Sequence, residues 1–131
     1  MSKKIKWKSK PKGKDFDGVE SFLTLLCSEG EAKKLIKRLQ DAEPIEHAGK
    51  DILRAAQLPA LSSEDPHVSK DLQDIQKGKA LAPVLLIRGD LKKAHSLVIA
   101  DGYHRVCASY IIDEGAPISC RLVDLWVRHD P

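Results

Sequence analysis

Apolar positions recur at two periods along the chain, and the switches between them set out the expected elements. Val19, Phe22, Leu23 and Leu26 follow a helix entry at Asp15–Asp17 with three- and four-residue spacing, which predicts a helix. Ser28-Glu29-Gly30 breaks that run. A second helix places Ala32, Leu35, Ile36 and Leu39 on one face and Lys33, Lys34, Lys37 and Arg38 on the other, and Pro44 ends it. Residues 48–57 read as a short third helix carrying Ile52, Leu53 and Ala56, with His47 before it in a capping or surface role. A loop rich in Pro, Ser and acid leads through Asp65-Pro66 into a helix lined by Val68, Leu72 and Ile75, with Gly78 at its C-terminal end.

The pattern then changes. Val84-Leu85-Leu86-Ile87 has no polar alternation, as expected of a strand covered on both faces. A polar loop over 88–95 precedes a second strand, 96–100, and the chain turns at Asp101-Gly102 into a helix with Val106, Tyr110 and Ile111 on one face. Glu114-Gly115-Ala116-Pro117 makes a turn, 118–123 forms a last strand, and Leu125, Trp126 and Val127 are expected to pack as the chain finishes. Helices and strands together predict the mixed α/β (α+β) class, and no internal repeat interrupts that reading.

At 131 residues the chain is one domain's worth, with no apolar run long enough to span a membrane and no apolar core of a secretion signal. Its three cysteines, Cys27, Cys107 and Cys120, form no CxxC pair, so they read as reduced thiols in a cytoplasmic compartment. The net charge of +3 is unevenly placed. Residues 1–14 hold seven lysines and no acid, while the other 15 basic residues face all 19 acids, a balance of −4. We therefore expect a disordered basic tail over 1–14, with Trp7 available to stack on nucleic acid or an acidic protein partner, and a mildly acidic folded body over 15–131.

The chemistry concentrates in Val98–Tyr110, VIADGYHRVCASY. A strand that turns through Asp-Gly into a helix leaves free backbone N–H groups and the positive end of the helix dipole at one point, a natural anion site. Arg105 lies in the first turn with a planar fork suited to phosphate. Asp101 suits helix capping, a metal ion or orientation of an acceptor hydroxyl, and His104 suits hydrogen-bond donation or proton transfer. The same residues also suit a plain capped helix with two solvated polar side chains.

From about Ile52 to Val123 the order of elements resembles the ParB/sulfiredoxin superfamily: an acidic-Pro loop, a helix, APVLLIRG as a strand, LVIADGYHR as strand and turn, a helix, and PISCRLV as a strand. The resemblance implies a small mixed sheet flanked by helices (core 59–131, with extra N-terminal helices in 15–58) and a nucleotide-phosphate pocket between the helix after Asp65-Pro66 and the Asp101-Gly102 turn. It implies Gly102, His104 and Arg105 as phosphate binders, joined by the backbone N–H groups of Tyr103 and His104. The ligand would be ATP, ADP or CTP, with Mg²⁺ at Asp101. Glu64, Asp65 and His67 would reach the cleft from the facing loop. Sulfiredoxins carry a catalytic Cys where this chain has Tyr103, so their repair chemistry is not expected here. They also place a lysine soon after the Asp-Pro pair, where Lys70 or His67 would substitute. Partition proteins continue into a helix-turn-helix domain and a dimerisation tail, which this chain, ending at Pro131, is expected to lack. The leading expectation is a nucleotide-phosphate-binding domain catalysing phosphoryl transfer or hydrolysis, with Asp101 and His104 as catalytic residues. The alternatives are a non-catalytic nucleotide- or phosphate-binding regulatory module and, third, a nuclease.

Overall fold

The structure, a computed structural model, describes residues 4–125. Among them five helices and four strands form a mixed α/β fold. The helices are α1 (Asp15–Leu23), α2 (Glu29–Asp41), α3 (Gly49–Ala56), α4 (Pro66–Gln76) and α5 (Tyr103–Ile112). The strands are β1 (Ile45–Ala48), β2 (Val84–Arg88), β3 (Val98–Asp101) and β4 (Pro117–Asp124), in the sheet order β1-β4-β2-β3. β2 and β4 run parallel in the centre, and β1 and β3 pair antiparallel at the edges. No described helix is long and apolar enough to cross a membrane.

Period-two alternation divides the sheet's side chains between two cores. Val84 and Leu86 of β2 join Ile118 and Cys120 of β4 beneath α3, α4 and α5. Leu85, Ile87 and Val123 face the other way, onto Val19 and Leu23 of α1 and Leu35 and Leu39 of α2. β2 is therefore buried on both faces, as its unbroken apolar run predicts. The N-terminal helices close the sheet's second face instead of standing beside a finished core. Ser28 starts α2 with a reciprocal capping box, its side chain accepting from the Glu31 N–H while Glu31 accepts from the Ser28 N–H.

Four sequence expectations need correction. Residues 45–48, expected only to precede a helix, form edge strand β1; two of its four residues are exposed, so it lacks the apolar signature that marks β2. The basic segment expected to be disordered is bound to the body over Ile5–Ser9. Ile5 is buried, Trp7 pairs with Leu81 as a parallel bridge, and the Lys8 N–H donates to the Leu81 carbonyl at 2.8 Å. Lysines at alternate positions keep to the surface while Ile5 and Trp7 turn inward, a two-residue period hidden by the overall charge. Trp7 is thus packed against the main core and not free to stack. On α5, Ile111 is exposed, and Val106, Cys107 and Ala108 supply the buried face. Trp126 and Val127 lie outside the described residues.

Candidate functional site

β3 ends at Asp101, Gly102 turns the chain with φ of 107°, and α5 begins at Tyr103. No side chain caps α5, so its first N–H groups are uncommitted by that route. α4 packs against α5, and its own N-terminus lies alongside because Asp65 caps it by accepting from the His67 and Val68 N–H groups at 2.9 and 3.1 Å. Between the two helices lies an open cleft of about 200 Å³ lined by His67, Lys70 and Asp71 of α4, by Asp101 and Gly102, and by His104 and Arg105 of α5. The structure thus brings together His67, Lys70, Asp101, Gly102, His104 and Arg105, all named from the sequence. Tyr103 does not line the cleft, and its hydroxyl donates to the Pro59 carbonyl at 2.6 Å. Glu64 does not line the cleft.

Arg105 is held as well as presented. Its Nη2 donates to the Asp101 carboxylate at 2.8 Å and to the Pro83 carbonyl at 3.2 Å. Asp124 pairs with Arg88. Gly102 takes part in the same arrangement. A Cβ there would lie 2.8 Å from Arg105 Nη2 and 3.0 Å from a Val84 methyl, so the missing side chain makes room for the arginine.

The histidines form the cleft's second element. The His67 and His104 rings lie 4.7 Å apart between centroids, and His104 Nε2 lies 3.9 Å from Asp65 Oδ1. The Val68 N–H bond, followed by the His67 N–H bond and the charge of His104, holds the Asp65 carboxyl below the usual carboxylate range.

Asp71 was not singled out from the sequence. It lies one helical turn after His67, and that i, i+4 spacing from a named residue is the signal that finds it. It is half-buried in the cleft wall and, unlike Asp101, has neither a hydrogen-bond donor nor an ion-pair partner among the described residues. Burial pushes its carboxyl above the usual range, against the pull of Arg105 and with the push of Asp74.

Mg²⁺ at Asp101 would be held by one carboxylate and the ligand's own phosphates, not by an all-protein cage. One oxygen of that carboxylate holds Arg105, and no three acidic, histidine or cysteine side chains converge among the described residues. Cys107 is buried, and burial raises its thiol, as an inert packing residue requires. Comparison of the chain with protein-family models, with curated proteins and with solved structures finds no significant match in any of the three.

Proposed function

We propose that the cleft between α4 and α5 binds the phosphate end of a nucleotide such as ATP, ADP or CTP, or of another phosphorylated ligand. The observation that carries this reading is the convergence on one cleft of the uncapped start of α5 with Arg105, His104, His67 and Lys70. These are the donors and charges that recognise an anion, drawn from two helices. At about 200 Å³ the cleft is smaller than most sites that enclose a whole ligand, which suits capture of a phosphate group with the remainder outside. Asp101 fixes the arginine and is not itself a phosphate ligand.

Phosphoryl transfer is the second reading, and the carboxylate of Asp65 behind His104 favours it. That pairing would hold the imidazole facing the cleft, where it can donate to a moving phosphoryl group. The lysines at 4, 6, 8, 10, 12 and 14, all exposed along a segment partly fixed to the body, leave a cationic row for nucleic acid or an acidic protein.

Calorimetry with ATP, ADP, CTP and inorganic phosphate tests the binding reading. Saturable binding that weakens in His104→Ala and Arg105→Ala supports it, and absence of binding by all four overturns it. Release of product phosphate or transfer to a hydroxyl acceptor, lost in His104→Ala while nucleotide is still bound, would favour the catalytic reading.

A further inference from the structure

The cleft's permanent charges cancel. Lys70 and Arg105 bring two positive charges, and Asp71 and Asp101 bring two negative ones. Asp101 is neutralised in place by Arg105 at 2.8 Å. Lys70 is itself turned partly toward Asp74, 3.5 Å away. Asp71 is left as a carboxylate without a donor in the wall that a phosphate would approach. A bare carboxylate next to a phosphate oxygen is repulsive, and it offers acceptors where the ligand also offers only acceptors. One proton removes both difficulties, because a carboxylic acid is neutral and donates an O–H.

We propose that Asp71 is a ligand-binding residue that acts in its protonated form, so that the cleft takes up a phosphate group and a proton together. This rests on the phosphate-site reading and adds the means by which a charge-balanced cleft accepts an anion. In the bound state the Asp71 O–H donates to a phosphate oxygen, with Arg105, Lys70 and the N–H groups of α5 around the same group. The proton comes from solvent and no covalent bond changes. The groups that bear on Asp71 are Lys70 and Asp74 on its own helix, Arg105 and His104 on α5, and, across the same cleft, His67 and Asp101. Its half-burial already favours the neutral acid before any ligand arrives.

The two histidines are the competing carriers of such a proton, so the test separates them from Asp71. The probe is inorganic sulfate, a dianion that takes up no proton of its own near neutral pH. Calorimetry in buffers of different ionisation enthalpy counts the protons bound with it. The expected result at pH 7.5 is measurable proton uptake with sulfate in the wild type, markedly less in Asp71→Asn, and tighter sulfate binding by Asp71→Asn at pH 8. Uptake that persists in Asp71→Asn assigns the proton to His67 or His104 and overturns the proposal. Sulfate binding by the wild type without proton uptake also overturns it and leaves the phosphate site standing. Failure of both sulfate and inorganic phosphate to bind either protein between pH 6 and 8 removes the site itself. Should Asp71→Asn not fold, the side-chain carboxyl carbon resonance of Asp71 in the wild type decides. It moves toward the protonated position on addition of sulfate at pH 7.5 if the proposal holds, and stays in place if it does not.

Discussion

Arg105 does two jobs, and its substitutions separate them. Arg105→Lys keeps the charge but loses the fork that reaches Asp101 and Pro83 while facing the cleft. We expect phosphate affinity to fall by about 1.5–3 kcal/mol in calorimetry, the worth of a charge-assisted contact. Arg105→Ala should fall further and also lower the melting temperature, because Asp101 is then left without its partner. Unchanged affinity with a lowered melting temperature would make the arginine purely structural. The two abnormal carboxylates have opposite effects on stability. Asp71 is raised in the fold, so the folded state holds its proton more tightly than the unfolded chain does. Its contribution is fully present below the unfolded value near about 4 and is lost as pH rises through the folded value. Asp71→Asn should therefore melt higher than wild type at pH 7 in the absence of ligand. Asp65 is lowered, so its contribution is present above the unfolded value and is lost as pH falls through the folded one. Asp65→Asn should narrow the difference between melting temperatures at pH 6 and pH 3. The motif residues Asp101, Gly102, His104 and Arg105 were legible in the sequence because turn chemistry and charge coincide there. Asp71 was readable only through its i, i+4 spacing from His67, because a single acid on an exposed-looking helix face shows no chemistry of its own until the facing helix is in place.

At the scale of the element, the site is made by two helix starts meeting, and each start has its own local cause. α4 is capped by Asp65 with Pro66 in its first turn, and α5 is reached through a glycine at positive φ. Gly102→Ala combines a conformation that disfavours a side chain with a contact of 2.8 Å against Arg105. We expect a loss of about 1–3 kcal/mol in denaturant unfolding and a displaced arginine, so that phosphate affinity falls with stability. Ser28→Ala removes the capping box of α2, far from the cleft, and should cost about 1 kcal/mol while leaving anion affinity unchanged. Helices and central strands were readable because their periods are strong, whether three-to-four in α2 or the unbroken run of β2. β1 was not, because four residues with exposed Glu46 and His47 resemble a linker until β4 pairs with them.

At the scale of the molecule, Arg121 joins parts that are far apart in sequence. It is 6% exposed and donates to the Gln40 and Ala42 carbonyls at the end of α2 and to the Ser9 carbonyl at 2.9 Å. Arg121→Ala removes the charged donor from those carbonyls, and because Ser9 and Gln40 are exposed and can turn to water the cost is about 1–3 kcal/mol in all. Urea unfolding should show a large loss, and amide exchange should quicken over Ile5–Ser9. The sequence offered this arginine only as a polar residue in a strand, since its acceptors are backbone atoms with no side-chain signature.

The sheet order also bears on how the molecule is made. β4 is the last strand among the described residues and lies between β1 and β2. As the polypeptide leaves the ribosome, β1 has no neighbour in the sheet, and Ser9 has no arginine, until β4 has emerged. The Ile5–Trp7 segment meanwhile waits for Leu81, and α1 and α2 wait for Leu85 and Ile87 of β2, before their apolar sides are covered. The β2–β3 hairpin can pair early, but the finished sheet must wait for β4, and apolar segments held waiting that long are where chaperone contact would concentrate.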